Sequence, residues 1–163
     1  MAIAKYCGPY KISVHSGSDK FSIYPIIGRV CANLLHVKTA GTSYLEALRV
    51  VARQAPALFL EVIQYSRSRF ETDRATYHIS AVLSKIKNPE ALSPSEREKL
   101  YLDENGGRQV LHVTFGSVLK LGKTAKGRSF KEGILEVLNA NEALHKEVLA
   151  ARLGKHIRLL GAG

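Results

Sequence analysis

Four histidines stand on short apolar runs: His15 in Lys11-Ile-Ser-Val-His15, His36 in Leu34-Leu-His36-Val, His78 in Thr76-Tyr-His78-Ile-Ser80 and His112 in Val110-Leu-His112-Val-Thr-Phe115. Three of the four runs pass directly into a glycine-containing loop. A neutral imidazole suits a divalent ion of the zinc, nickel or manganese type, and a catalytic metal site needs about three protein ligands with open positions. A lone histidine is more often a hydrogen-bonded structural group, so the recurrence at strand ends is the informative feature. Ser16, Asp19 and Lys20 fall in the loop after His15, and Lys38, Thr39, Gly41 and Thr42 follow His36. An aspartate in such a loop can serve as acid/base or merely shape the turn. The two lysines could attract a carboxylate ligand. Thr39, Gly41 and Thr42 could hold oxygens through hydroxyl and backbone N–H groups, with helix capping as the alternative for Thr42.

The elements that would carry these residues follow from periodicity. Ile12 and Val14 alternate with Ser13 and His15, the period of a strand, and Ser16-Gly17-Ser18-Asp19-Lys20 must end it. Strands are expected near 10–15, 33–38, 76–81 and 109–115. Phe21 to Ala32 reads as a short helix restricted by Pro25 and weakened by Gly28. Helices are also expected from Thr42 or Ser43, with an interruption at Pro56. Ser93-Pro94-Ser95-Glu96 has the spacing of a capping box and predicts a helix to about Asp103, ended by Asn105-Gly106-Gly107. Ser129-Phe-Lys-Glu132 is read as another capping box that opens a further helix. In the last helix Leu144, Val148, Leu149, Leu153, Ile157 and Leu160 make an apolar side, leaving His145 and His156 at the surface. Strand, loop and helix in succession imply parallel strands with right-handed crossovers. The expected fold class is therefore α/β: an incomplete (β/α) barrel of about four parallel βα units, one partial domain over 1–163, with its chemistry at the carboxyl ends of the strands. In adjacent parallel strands, residues at equal height on one face come within reach of a single ion, which favours His15 and His36 as a pair.

The 163 residues, 45% hydrophobic, suffice for one domain with a sizeable core. No apolar run spans a bilayer and the start lacks the apolar stretch of a signal peptide, so a cytoplasmic protein without membrane contact is expected. Cys7 and Cys31 lack metal-type spacing and read as buried thiols. The net charge of +10 would suit phosphates or carboxylates, yet the 24 Lys and Arg are spread along the chain rather than gathered on one face.

The runs Ser13-Val-His-Ser-Gly-Ser-Asp-Lys-Phe-Ser-Ile-Tyr-Pro-Ile-Ile-Gly28, His36-Val-Lys-Thr-Ala-Gly-Thr-Ser-Tyr-Leu-Glu-Ala-Leu48 and Arg108-Gln-Val-Leu-His-Val-Thr-Phe-Gly-Ser117 resemble the tagaturonate/fructuronate epimerase family. The likeness covers nearly the whole chain. It implies the C-terminal third of a metal-dependent hexuronate-catabolic enzyme about three times as long, and a (β/α) barrel whose missing N-terminal part would supply further strands, a metal-ligating carboxylate and an acid/base group. The reaction inverts a hydroxyl carbon that is not adjacent to the ketone, which favours retro-aldol opening over simple proton removal. With the resemblance, His15 and His36 become the expected metal ligands and Asp19 the catalytic acid/base. Ser16, Lys20, Lys38, Thr39, Gly41, Thr42 and His112 become the expected contacts of a keto-uronate. Apolar surface on the open barrel is expected to be covered by the missing N-terminal half or by a second copy.

The competing class is a non-catalytic basic binding protein for nucleic acid. Steeply salt-dependent binding to DNA or RNA without metal uptake would distinguish it.

Overall fold

Residues 6, 8, 11–15, 21–31, 34–39 and 41–161 are described by the structure, a computed structural model; two compact units emerge, Met1–Thr42 with Leu149–Gly163, and Ser43–Val148. In the first, β1 (Ile12–Val14) and β2 (Leu35–Val37) pair in parallel, with Ile12 opposite Leu35, Ser13 opposite His36 and Val14 opposite Val37. The ladder continues one step, since Lys38 N–H donates to the Val14 carbonyl at 2.9 Å. A parallel pair requires a crossover. Here it includes a 3₁₀ turn, Phe21–Ile23, and α1 (Tyr24–Cys31), which lies against β2. Pro25 is tolerated because it falls in the first turn, where backbone N–H groups have no partner within the helix. The alternation read from the sequence is realised: Ile12, Val14, Leu35 and Val37 are half-buried, while Ser13, His15, His36 and Lys38 are exposed.

The same unit includes the end of α7 (Glu142–Leu159) from residue 149 onwards. Gly28 lets α1 approach that end closely, because a Cβ there would overlap the Leu160 carbonyl. Tyr24 is fully buried, and Cys31 is a buried free thiol as expected, whereas Cys7 lies outside the described residues. His156 departs from expectation. It is buried rather than superficial, its ring 4.7 Å from Phe21 and 5.7 Å from Tyr24, with Nδ1 2.8 Å from the Arg152 carbonyl. The inward face of this part of α7 is thus the one bearing His156, and Leu153 and Ile157, expected inward, are exposed.

The regular elements of the second unit are mainly helical: α2 (Thr42–Gln54) from Ser43, α3 (Pro56–Asp73), α4 (Pro94–Glu98), a π-helical turn (Lys99–Asp103), α5 (Asn105–Lys120), α6 (Phe130–Ala140) and the start of α7. Its core joins Leu45, Leu48 and Val51 of α2, Phe59, Ile63 and Phe70 of α3, Val110, Leu111 and Val118 of α5, and Phe130 and Ile134 of α6. Pro56 at the first position of α3 separates that helix from α2, as its lack of an N–H donor dictates. Ser93 and Glu96 form both halves of the capping box: Glu96 N–H donates to Ser93 Oγ at 3.3 Å and Ser93 N–H to Glu96 Oε2 at 2.8 Å. Hydrogen bonds from Ser93 hold the Glu96 carboxyl below its ordinary range. At Ser129 the helix starts as expected but without a side-chain cap.

The incomplete four-unit barrel is not present: helices dominate, and the two three-residue strands are the only ones among the described residues. Residues 109–115 lie inside α5. Its buried positions Gly107, Val110, Leu111, Thr114 and Val118 recur at helical spacing, so packing on α3 overrides the strand preference of the β-branched residues. The Asn105-Gly106-Gly107 run opens a helix instead of only ending one. Gly107 is needed because a Cβ there would overlap the Leu100 carbonyl of the π turn. Residues 76–81 are not a strand either. Tyr77 is extended, yet the following amides of Ser80 and Ala81 donate to Gln109 Oε1 at 3.0 and 2.8 Å, and Arg74 Nη1 donates to the Ala81 carbonyl at 3.2 Å. Side chains from neighbouring helices therefore satisfy backbone groups that a partner strand would have taken.

Candidate functional site

Ser13 and His36 are direct partners across the parallel register, and Ser13 Oγ lies 2.9 Å from His36 Nδ1. The registered pairs end at Val14 and Val37; Lys38 is tied on by its N–H to the Val14 carbonyl, and His15 falls in the turn directly after β1. His15 is two residues beyond Ser13, the partner of His36, so both histidines are exposed but not at the same height. From strand spacing and rise, their backbones are about 8 Å apart on the diagonal. Side chains of histidine length can span such a diagonal to a common ion.

The loop after β2 leads straight into α2. The Thr39 carbonyl accepts from Thr42 N–H at 3.2 Å, and Gly41 takes φ +77°, a left-handed conformation that glycine adopts without steric cost. Thr42 is 1% exposed and is the first residue of α2 rather than its cap. Its Oγ1 has no hydrogen-bond partner among the described residues. Leaving a buried hydroxyl unmatched is costly, and this one stands at a helix start directly after the histidine-bearing strand. Lys38 is exposed and Thr39 half-buried.

Ser16, Asp19 and Lys20 lie outside the described residues. His112 belongs to the second unit, half-buried in mid-α5, with its ring 6.5 Å from that of Tyr77. It is on no strand end, and neither is the exposed His78. The structure therefore groups His15, His36 and Lys38 with Ser13 and continues into Thr39, Gly41 and Thr42, while His78 and His112 are parts of the helical unit. Among the described residues no group of three His, Cys, Asp or Glu side chains is placed to hold a metal. Two imidazoles on one face suit a zinc-, nickel- or manganese-type ion as part of a ligand set. A cleft of about 520 Å³ in the same unit is lined by Pro25, Arg29, Arg158 and Leu160, and takes in none of these groups.

Sequence reasoning left Ser13 without a role, although strand register was the signal that could have assigned it. It also passed over a buried charged cluster in the helical unit. Arg49 donates to Glu46, Glu98, Asp103 and the Leu102 carbonyl at 2.8–3.1 Å, and Arg108 donates to the same carbonyl at 2.6 Å. Burial alone would lower the Arg49 pKa, but the Glu46 and Asp103 carboxylates outweigh it and raise it. Glu46 and Arg49 share a helix face with apolar residues, which is the local trace of that cluster. Burial likewise pushes the Tyr44 phenol above its ordinary range.

Residues 1–160 match the family model described as UxaE, tagaturonate epimerase. The tagaturonate/fructuronate epimerase of Thermotoga maritima is 46% identical over 158 residues, covering 97% of this chain and 31% of the relative. The native crystal structure of the fructuronate-tagaturonate epimerase UxaE from Cohnella laeviribosi superposes with a TM-score of 0.87 at 41% identity, over 98% of this chain and 32% of that one. A glycerol complex of the same enzyme gives the same TM-score and identity. The chain spans about a third of the length of these relatives.

Proposed function

Because the chain belongs to the tagaturonate epimerase family, we propose that it provides one part of a sugar-acid epimerase interconverting tagaturonate and fructuronate in hexuronate catabolism. In this reading the exposed face of β1 and β2 is a portion of the active site. His15 and His36 contribute two ligands to a divalent ion, and the remaining ligand comes from the portion of the relatives' length that this chain does not span. That portion, joined to this chain or provided by a separate copy, is the expected partner, and a keto-uronate is the expected small-molecule ligand. The setting is cytoplasmic. No helix among the described residues is long and apolar enough to cross a membrane.

The residues divide the work by their chemistry. Lys38, exposed beside the histidines, attracts the uronate carboxylate, and Lys20 adds to that charge. Thr39, Gly41 and Thr42 receive sugar oxygens in the segment after β2, where the Thr42 hydroxyl has no partner among the described residues. Ser16 adds a hydroxyl from the first loop. Asp19 accepts the substrate hydroxyl proton as the carbon–carbon bond opens, then returns it after the aldehyde has turned over and re-added. A bound divalent ion would supply Lewis acidity at the ketone and neighbouring hydroxyl oxygens. His112 is not assigned to this site.

The observation that supports the reading is the exposure of His36 on β2, with Lys38 just after it and His15 just after the paired strand β1, in a chain 46% identical to an epimerase. Metal content after zinc loading tests it. His15→Ala and His36→Ala should each lower occupancy sharply; full occupancy in both variants would refute the site.

A further inference from the structure

We infer that Ser13 is a positioning residue for His36: its hydroxyl accepts the Nδ1–H of the imidazole and so leaves Nε2, with its lone pair, facing outward. The 2.9 Å separation is an ordinary hydrogen-bond length, and the two residues are set opposite each other by the strand register rather than by a flexible loop. Serine is short. From the neighbouring strand it reaches the nearer ring nitrogen and leaves the farther one unengaged by its own hydroxyl. Which nitrogen of a histidine bears the proton is set by the hydrogen bond the other makes. A free imidazole prefers its proton on Nε2, the form that cannot ligate through that atom. With Ser13 as acceptor the proton is held on Nδ1, the form that can. Ser13 thereby selects a tautomer and fixes the ring's rotation before any ligand arrives, which is how partners behind metal-binding histidines raise affinity.

This inference rests on the two-histidine reading above, and the experiment separates the two. Long-range proton–nitrogen spectra of the metal-free chain, at about pH 8 where imidazole is largely neutral, report the His36 tautomer directly. Calorimetric zinc titrations of the same samples report affinity. Wild type should show the Nδ1–H form. Ser13→Ala should shift the ring towards Nε2–H and weaken zinc binding about tenfold, the lower end for such partners, since the pair is exposed. Ser13→Thr, which keeps the hydroxyl and suits a strand, should restore both. An unchanged tautomer and an unchanged affinity in Ser13→Ala would overturn the inference, even if His36→Ala abolishes zinc binding and so sustains the two-ligand reading. A tautomer shift in Ser13→Ala with no zinc binding by any sample would uphold the Ser13 assignment and sink the two-ligand reading.

Discussion

Among the described residues, the unit of residues 43–148 encloses most of its large apolar side chains, whereas the unit carrying the histidines exposes a larger share of its own. In the helical unit Phe59, Ile63, Phe70, Val110, Leu111 and Phe130 are all at most 1% exposed, and even charged Arg108 is buried among them. In the other, Ile23, Ile26 and Val30 on or beside α1 and Leu153 and Ile157 on α7 are exposed. A domain is held by the apolar area it removes from water, so the two units should differ in how firmly they resist opening. The proposed chemistry falls in the less enclosed one. The candidate ligands His36 and His15 stand on, and directly after, two short strands, both exposed.

The largest expected effect would break this contrast at its firm end. Arg49→Ala removes the hub that joins Glu46, Glu98 and Asp103 to the Leu102 carbonyl and leaves the buried Glu46 carboxylate with the longer pairing to Arg108. Breaking such a buried pair costs about 3–5 kcal/mol, to be read from urea unfolding followed by helical circular dichroism; a loss of under about 1 kcal/mol would show that solvent screens the cluster. Next comes Gly107→Ala, whose methyl must displace the Leu100 carbonyl; an overpacking cost of about 1–3 kcal/mol is expected in the same experiment.

Ser93→Ala should cost about 1 kcal/mol, typical of a lost serine cap. It has a pH signature as well. Because the folded Glu96 carboxyl is held below its unfolded value, its contribution is present above the ordinary carboxylate range and is lost as pH falls through the depressed folded value. The difference between wild type and Ser93→Ala should therefore shrink on acidification, and a constant gap from neutral to acid pH would contradict the cap assignment.

The smallest effect sharpens the other end of the comparison. Ile26→Ser exchanges an exposed apolar side chain on α1 and should alter stability by no more than about 0.5 kcal/mol. A large loss would mean that this stripe is already covered by another copy in solution, which sedimentation at several concentrations would reveal.

What could be read from the sequence was what is decided locally. The Ser93 box, the break at Pro56 and the alternation of β1 each depend on residues within a few positions of one another. Period two reports extended backbone, however, and not the presence of a partner. The alternation around Tyr77 is like that of Ile12 to Val14, and what differs is Gln109, whose side chain takes amides that a strand would have bound. In α5 the strand-like run of Val110 to Phe115 is helical because its apolar side meets α3 and because Gly107 permits contact with Leu100, both set by tertiary packing. His156 is buried by Phe21 and Tyr24, more than a hundred positions away in the chain. The site shows the same division: the histidine-bearing strands were visible, but their offset, and Ser13 as a neighbour, required the register.

The π turn at Lys99–Asp103 also bears on how this segment tolerates changes in length. A π turn accommodates one residue more than an α-helical turn, and this one ends α4, because Glu104 directly after it is extended. Here the extra residue has become locked in phase. Arg49 and Arg108 both grip the Leu102 carbonyl, so deleting one position would turn that carbonyl by about 100° and take it away from two buried guanidinium donors at once.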